Sequence, residues 1–176
     1  LISSVIKSTG DNALNFTAKA AGKIEVSDNV QILTKGGNIV LWSNSGNVTS
    51  GSGEHFIRLN NGITFNSGGG NIVLAGGSDS NSDGYPDGYA YVGSSVTPPG
   101  SAFGGRNALQ PGLSIGSVRH QTGLLNSIQS GGGDITMRGR SNVADSAADG
   151  FGSQQSVLID AGAGTISIEG DQNNSS

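Results

Sequence analysis

Five short phrases of one form recur along this chain. Each consists of Gly, a polar or small residue, Ile, any residue, and then an aliphatic residue or Met. They are GKIEV (Gly22 to Val26), GNIVL (Gly37 to Leu41), GNIVL (Gly70 to Leu74), GDITM (Gly133 to Met137) and GTISI (Gly164 to Ile168). Their starts are 15, 33, 63 and 31 residues apart, so three spacings fit one or two units and the first fits half a unit. A period of this length indicates an array of stacked repeats.

The phrases have the pattern of short β-strands. In each, the Ile and the last residue are two positions apart, so they face the same side of an extended strand. Further stretches of the same kind are LNFTAK, VQILT, IRL, LSIGSV and VLID. No segment carries the apolar spacing of an amphipathic helix. The sequence therefore predicts an all-β chain of many short strands, each with two inward residues.

Two architectures use many short strands: a β-sandwich and a parallel β-helix, also called a β-solenoid. The period favours the β-helix, because one coil cannot bury its own apolar face and must share a core with neighbours about 4.8 Å away. The recurring Gly predicts a tight corner with positive φ before each strand. The recurring Asn and Ser predict turns whose side chains bond to the backbone. We predict one β-solenoid segment over residues 1–176, as part of a longer repetitive protein.

Two stretches interrupt the repeat and predict loop insertions. Residues 77–112 hold all four prolines and all three tyrosines, and a smaller interruption spans 141–155. Insertions in a repeat array emerge on one side, and loops on a rigid scaffold often carry binding surfaces. We therefore predict that Tyr85, Tyr89 and Tyr91 contact a partner. Trp42 follows two inward residues and is predicted to point outward as cover for the wall.

The long insertion begins with a candidate calcium loop, GSDSNSDGYPDGYA. Asp79, Asn81 and Asp83 alternate with serines and precede Gly84, as in the first half of an EF-hand loop. This spacing lets short oxygen ligands converge on one ion. Asp87 and the carbonyl group of Tyr85 complete the predicted ligand set. Against a full EF-hand, Ala90 stands where a bidentate Glu is expected, so a polar turn rich in Asp and Gly is the alternative.

Composition excludes several classes of function. The net charge is −4 and the nine basic residues are scattered, which argues against a nucleic-acid partner. No apolar run has the length of a membrane span, and the absence of Cys excludes disulfides. Neither histidine accompanies an acid or nucleophile motif, so we expect that the chain is not an enzyme. We also expect no required cofactor, and calcium is the one ion that the sequence suggests. A polysaccharide-degrading β-helix enzyme, which would need paired carboxylates, remains an alternative.

The stretches TKGGNIVLWSNSGNVTSGSG, ITFNSGGGNIVLAGGSDS and SGGGDITMRGRS resemble the repeats of secreted bacterial adhesins related to filamentous haemagglutinin. The resemblance covers most of the chain. It implies a right-handed parallel β-helix, secretion or display on the bacterial cell surface, and a role in adhesion or in building a fibre. The expected partners are neighbouring repeats or copies of the chain stacked end to end, and glycans or host surfaces. A calcium-stabilised carbohydrate-binding module is the alternative.

Overall fold

The computed structural model describes residues 1–93, 111–116, 123–142 and 149–172. Within them all regular structure is β-strand, and none of these residues belongs to a helix long and apolar enough to cross a membrane. Residues 94–110 and 143–148, which belong to the two predicted insertions, lie outside the described residues. The strands are β1 (Ile6–Lys7), β2 (Phe16–Lys19), β3 (Ile24–Val26), β4 (Gln31–Leu33), β5 (Ile39–Ser43), β6 (Glu54–His55), β7 (Ile57–Leu59), β8 (Thr64–Asn66), β9 (Ile72–Gly76), β10 (Ala90–Val92), β11 (Leu113–Ile115), β12 (Asn126–Gln129), β13 (Ile135–Ser141), β14 (Phe151–Ser153), β15 (Val157–Asp160) and β16 (Ile166–Gln172).

The strands form three sheets, numbered here in the order in which the chain enters them. Sheet 1 contains β1, β4, β8, β12 and β15. Sheet 2 contains β2, β5, β9, β13 and β16, with β10 and β6 alongside, and sheet 3 contains β3, β7, β11 and β14. The chain passes through sheets 1, 2 and 3 in rotation. We call these passages rounds 1 to 5, which begin at β1, β4, β8, β12 and β15.

Strands of successive rounds pair in parallel in every sheet. The pairing of β6 with β10 is antiparallel, and every other strand pair among the described residues is parallel. Parallel neighbours need a long connection between them, and here each connection passes through the other two sheets. The prediction of an all-β chain with parallel strands is confirmed.

The rotation explains the unequal spacing of the five phrases. The last four phrases all lie in sheet 2, where Ile39 faces Ile72, Ile72 faces Ile135, and Ile135 faces Ile166. The first phrase forms β3 in sheet 3, where Ile24 faces Ile57. The 15-residue spacing therefore separates two sheets within the structure. It is about half of the 33 residues that separate Ile24 from its partner Ile57 in the next round.

The inward residues of the strands form one continuous core, as predicted. Its members are buried residues from all three sheets: Ile24, Val26, Val30, Ile32, Ile39, Leu41, Ile57, Leu59, Ile63, Phe65, Ile72, Leu74, Ala90, Leu113, Ile115, Ile128, Ile135, Met137 and Ala161. Each round contributes one layer, so a layer is covered only when a round lies on each side of it. The fold is therefore stabilised by contacts between rounds far apart in sequence.

The glycines of the last four phrases are required for a reason other than the predicted one, whereas a Cβ atom at Gly22 would lie 3.7 Å from the Glu54 carbonyl oxygen, an ordinary contact. Gly70 and Gly133 do not have positive φ. A Cβ atom at Gly133 would lie 2.3 Å from the carbonyl oxygen of Gly70, and one at Gly70 would lie 2.3 Å from that of Gly37. At these positions the backbones of two successive rounds approach each other too closely to leave room for a side chain. Positive φ occurs one residue earlier, at Gly69 (123°) and Gly132 (130°).

A column of side-chain oxygens joins the rounds beside sheet 2. Each oxygen accepts a hydrogen bond from the backbone N–H at the same position in the next round. The steps are Asn15 Oδ1 to Asn38 N (2.9 Å), Asn38 Oδ1 to Asn71 N (2.8 Å), Asn71 Oδ1 to Asp134 N (2.9 Å) and Asp134 Oδ1 to Thr165 N (2.8 Å). The prediction that Asn side chains bond to the backbone of stacked turns is confirmed.

Buried hydroxyl groups form a second column at the same corner. Thr34, Ser67 and Ser130 are fully buried, and their hydroxyls donate to the phrase glycines Gly37, Gly70 and Gly133 respectively. The Ser67 hydroxyl also contacts the carbonyl oxygen of Ser130 at 3.1 Å, in the next round. These bonds satisfy polar groups that would be costly to bury alone.

Candidate functional site

The described part of the long insertion contains a loop, residues 77–89, between β9 and β10. β13 pairs with β9 through residues 135–137 and with β10 through residues 139–141. β10 therefore continues the line of β9 in sheet 2, and the loop leaves and returns at one point. Gly76 and Gly88 close its base with an antiparallel bridge. The loop is therefore anchored at both of its ends, by β9 and β10 of sheet 2.

Aromatic side chains fix this loop against the outer face of sheet 2. Val40, Trp42, Val73 and Ala75 form a small apolar cluster on that face, and Tyr85 packs against it. The Tyr85 hydroxyl accepts a hydrogen bond from Asn38 Nδ2 at 2.7 Å. Trp42 Nε1 donates to the carbonyl oxygen of Gly77 at 2.7 Å. Trp42 points away from the core, as predicted, and it is covered by the loop and by Lys19 Nζ at 3.4 Å from its ring centre.

Hydrogen bonds within the loop engage all four side chains of the predicted calcium site. Asp79 Oδ1 and Asn81 Oδ1 both accept from the backbone N–H of Asp83, at 3.1 Å and 3.0 Å. Asn81 Nδ2 donates to Asp83 Oδ2 at 3.1 Å and to Asp87 Oδ1 at 3.4 Å. The backbone N–H of Tyr85 donates to Asp83 Oδ1 at 2.9 Å. The Asn81 amide thus bridges the carboxylates of Asp83 and Asp87, while the Asp79 carboxylate accepts from the backbone N–H groups of Asp83 and Gly84.

These side chains have the oxygen groups that calcium requires but hold a different geometry. Carboxylate and amide oxygens are the ligands that calcium prefers. Here the amide nitrogen of Asn81 lies between Asp83 and Asp87, and nitrogen of an amide is not a ligand for this ion. Over the part of the chain that the structure describes, no group of three or more His, Cys, Asp or Glu is placed to hold a metal ion. Ion binding would require the Asn81 amide to turn.

Asp87 is the most strongly bonded carboxylate of the loop. Its Oδ2 accepts from Ser80 Oγ at 2.6 Å and from the Ser80 backbone N–H at 2.7 Å. The hydrogen bond from the Ser80 side chain, followed by that from its backbone, lowers the pKa of Asp87 from its ordinary value. Bonds to the charged form favour ionisation, so Asp87 is anionic wherever the loop is folded at neutral pH.

The three predicted contact tyrosines lie in different environments. Tyr85 is partly buried on the apolar cluster. Tyr89 is half-buried, with the Arg140 guanidinium 4.4 Å from its ring centre and its hydroxyl donating to Glu169 at 3.2 Å. Tyr91 is 1% exposed, and its hydroxyl donates to the carbonyl oxygen of Gly51 at 2.9 Å. Within the described structure, Tyr91 supports the wall, and the accessible aromatic surface belongs to Tyr85 and Tyr89.

A row of ion pairs beside Tyr89 was not found from the sequence. Arg138 pairs with Glu169 at 3.1 Å and Arg140 pairs with Asp171 at 2.7 Å. The Arg138 guanidinium also donates to the carbonyl oxygen of Asp87 at 3.2 Å, so it joins the row to the loop. Both pairs span 31 residues, which equals the spacing of the last two phrases. That repeat, applied to the charged residues, would have revealed them.

The chain can therefore offer a partner one composite surface on sheet 2, made of the acidic loop tip, Tyr89 and the adjoining ion pairs. We call it the loop face: Asp79, Asn81, Asp83, Tyr85, Asp87, Tyr89, Arg138, Arg140, Glu169 and Asp171. No family model, curated protein or solved structure matches this chain.

Proposed function

We propose that this chain is a structural and adhesive segment of a secreted or surface-displayed bacterial protein or fibre. In this proposal the three sheets close into a right-handed parallel β-helix that serves as a rigid stalk. The observation that carries it is the rotation of the chain through three parallel sheets with polar columns in register. Such stacking makes each round a template for the next, which suits a long repetitive protein. The resemblance to filamentous haemagglutinin-like repeats supports the same assignment.

The loop face is the adhesive part of this proposal. The partly buried ring of Tyr89, flanked by arginine and carboxylate groups, offers both stacking and hydrogen bonding. Sugars bring an apolar ring face and hydroxyl groups, so glycans on a cell surface are the ligand class that fits. The rigid frame beneath the loop keeps these groups in place before binding, which reduces the entropy cost of association.

The test measures binding of the labelled chain to a glycan array and to whole cells. The variants Tyr89→Ala and Arg140→Ala are expected to lose most of the binding. Arg58→Ala, in sheet 3, is the matched control, because Arg58 also pairs with one carboxylate, Glu25, and also lies 4.5 Å from an aromatic ring, that of Phe56. Equal loss in the control, or no binding to any surface, would contradict an adhesive role. Release of reducing sugar would favour the enzymatic alternative.

Calcium is proposed as a secondary stabiliser of the loop tip, on the basis of the spacing of the oxygen-bearing side chains of Asp79, Asn81, Asp83 and Asp87. Binding to the folded state alone raises stability by about 1.4 kcal/mol when the ion is at tenfold its dissociation constant. The melting temperature is therefore expected to rise with millimolar calcium in the parent chain and in Asp11→Ala, which removes an exposed carboxylate elsewhere. Asp83→Ala is expected to abolish the rise. An unchanged melting temperature in the parent chain rejects calcium.

A further inference from the structure

A second loop, residues 44–53, lies beside loop 77–89 and was not found from the sequence. It leaves sheet 2 after Ser43, the last residue of β5, and loop 77–89 leaves after Gly76, the last residue of β9. These two residues face each other in the parallel pairing of β5 with β9. The chain returns from loop 44–53 in β6, which pairs with β10, the strand that follows loop 77–89. The two loops therefore start and finish side by side, in successive rounds.

Asn44 joins the two loops through both polar atoms of its side chain. Its Nδ2 donates to the carbonyl oxygens of Val48, at 3.0 Å, and of Tyr89, at 3.2 Å. Its Oδ1 accepts from the backbone N–H of Val48 at 2.9 Å. The carbonyl oxygen of Asn44 also accepts from the backbone N–H of Gly77 at 3.1 Å. Asn44 thus contacts loop 77–89 at both its first and its last residue.

Burial and backbone conformation both favour Asn at this position. Asn44 is 2% exposed, so its side-chain bonds form largely away from water, where an unpaired amide would be costly. Its φ is 52°, in the left-handed region that Asn and Gly adopt more readily than other residues. The residue therefore combines a tight turn of the chain with a side chain that bonds to both loops.

Tyr89 is held by residues from three rounds. Asn44, in round 2, bonds to its carbonyl oxygen. The Arg140 guanidinium, in round 4, lies 4.4 Å from the centre of its ring, and Glu169, in round 5, accepts from its hydroxyl at 3.2 Å. Arg140 and Glu169 contact the side chain, whereas Asn44 holds the backbone from which that side chain extends.

We propose that Asn44 is a positioning residue of the loop face: it holds the backbone of Tyr89 so that the ring meets its glycan ligand in a fixed orientation. Because Asn44 is buried, it acts through Tyr89 and does not touch the ligand. The inference deepens the proposed function and rests on it, since the loop face must bind glycans for this positioning to matter. Without the Asn44 side chain, Tyr89 has to be ordered at the moment of binding, which lowers the affinity.

Asn44→Gly tests this role, because glycine adopts the positive φ freely and the substitution removes all three side-chain bonds. The affinity for the glycan that the parent chain binds best is expected to fall about tenfold, as for the loss of one or two buried hydrogen bonds. Asn29→Gly is the matched control, because Asn29 also has a positive φ, 60°, but lies in the turn between β3 and β4. The control is expected to keep the parent affinity, and equal losses in the two variants overturn the inference.

A double-mutant cycle separates positioning from a general loss of stability. If Asn44 acts through Tyr89, Asn44→Gly has little further effect on the residual binding of Tyr89→Ala. Additive losses of binding free energy in the double variant overturn the inference. Asn44→Asp serves as a second variant where Asn44→Gly does not fold. It keeps the acceptor for the Val48 N–H but has no donor for Tyr89, so the same cycle is expected to give the same result.

Nuclear magnetic resonance of the chain with isotope-labelled tyrosine gives a readout that needs no ligand. The chain has three tyrosines, so replacement of each by Phe assigns the three backbone amide signals. The Tyr89 signal is expected to shift and broaden in Asn44→Gly and to stay unchanged in Asn29→Gly. An unchanged Tyr89 signal in Asn44→Gly overturns the inference even where glycans bind. A parent chain that binds no glycan contradicts the proposed function instead, and the Tyr89 signal then still decides whether Asn44 holds this residue.

Discussion

Gly133 has an ordinary backbone conformation, and its lack of a side chain is required by a residue 63 positions earlier in the sequence. The same relation holds at Gly37, Gly70 and Gly164, each of which lies over the backbone of the round before it. At the scale of single residues, the fold therefore requires glycine wherever the backbones of two successive rounds come into contact. Conformational preference explains the neighbouring glycines, Gly69 and Gly132, whose φ values are positive.

Replacement of this glycine tests the steric argument. Gly133→Ala places a Cβ atom 2.3 Å from the Gly70 carbonyl oxygen and is expected to cost about 1–3 kcal/mol, the usual penalty of overpacking. For a chain of this size that lowers the melting temperature by about 2–4 °C per kcal/mol. Gly46→Ala is the control, because a Cβ there meets no atom within 4 Å. Equal melting temperatures for the two variants would contradict the close approach.

The lowered pKa of Asp87 predicts that the stability of the chain depends on pH through this loop. Its pKa is lowered in the folded chain, so its ionisation stabilises the fold at pH values above the unfolded pKa. That contribution is lost as the pH falls through the lower, folded value. Asp87→Asn is therefore expected to flatten the fall of the melting temperature between about pH 5 and pH 2, measured by circular dichroism. An unchanged slope would show that the Ser80 bonds do not form in solution.

At the scale of elements, the loop between β9 and β10 is held by its contacts with sheet 2. Tyr85 supplies both apolar contact with the Trp42 cluster and a hydrogen bond with Asn38. Asn38 is also a member of the column that joins rounds 2 and 3. Asn38 therefore bonds both to the loop and to the next round of sheet 2, so a change in one of these contacts is expected to affect the other.

Hydrogen exchange of residues 77–89 separates the two contributions of Tyr85. Tyr85→Phe removes only the bond to Asn38 and is expected to speed exchange slightly, since one such bond contributes about 1 kcal/mol. Tyr85→Ala also removes the ring from the cluster and is expected to speed exchange far more. Protection in β8 and β12 is the internal reference and should not change. If both variants behave alike, the ring packing contributes nothing to loop order.

At the scale of the whole molecule, stability is a sum over rounds and the contacts between them. Rounds 2, 3 and 4 are covered on both sides, whereas rounds 1 and 5 are covered on one. Native-state hydrogen exchange is therefore expected to be slowest in β9 and β13 and fastest in β1 and β16 at low protein concentration. Uniform protection along the stack would contradict stability by neighbouring rounds.

Much of this arrangement could be predicted from the sequence. Alternation within each phrase gave the inward residues, such as Ile39 and Leu41, because side chains of a strand alternate between two faces. The period gave the stacking, since each layer must be covered by another. The acidic spacing predicted a polar turn, in which Asp79, Asn81, Asp83 and Asp87 all accept or donate hydrogen bonds, because short polar side chains in a turn reach neighbouring backbone groups.

What the sequence by itself determined about this protein is local and periodic: strands, inward faces, the repeat, and the polar turn near Asp83. Only the tertiary structure decided which round lies on which. That pairing assigned Ile24 to another sheet than Ile39, required Gly133 to lack a side chain, and buried Tyr91 against the wall. It also brought Tyr89 beside Arg140 and aligned the oxygen column that runs from Asn15 to Thr165. The physical reason is that these contacts join residues separated by tens of positions, which local patterns of residues do not encode.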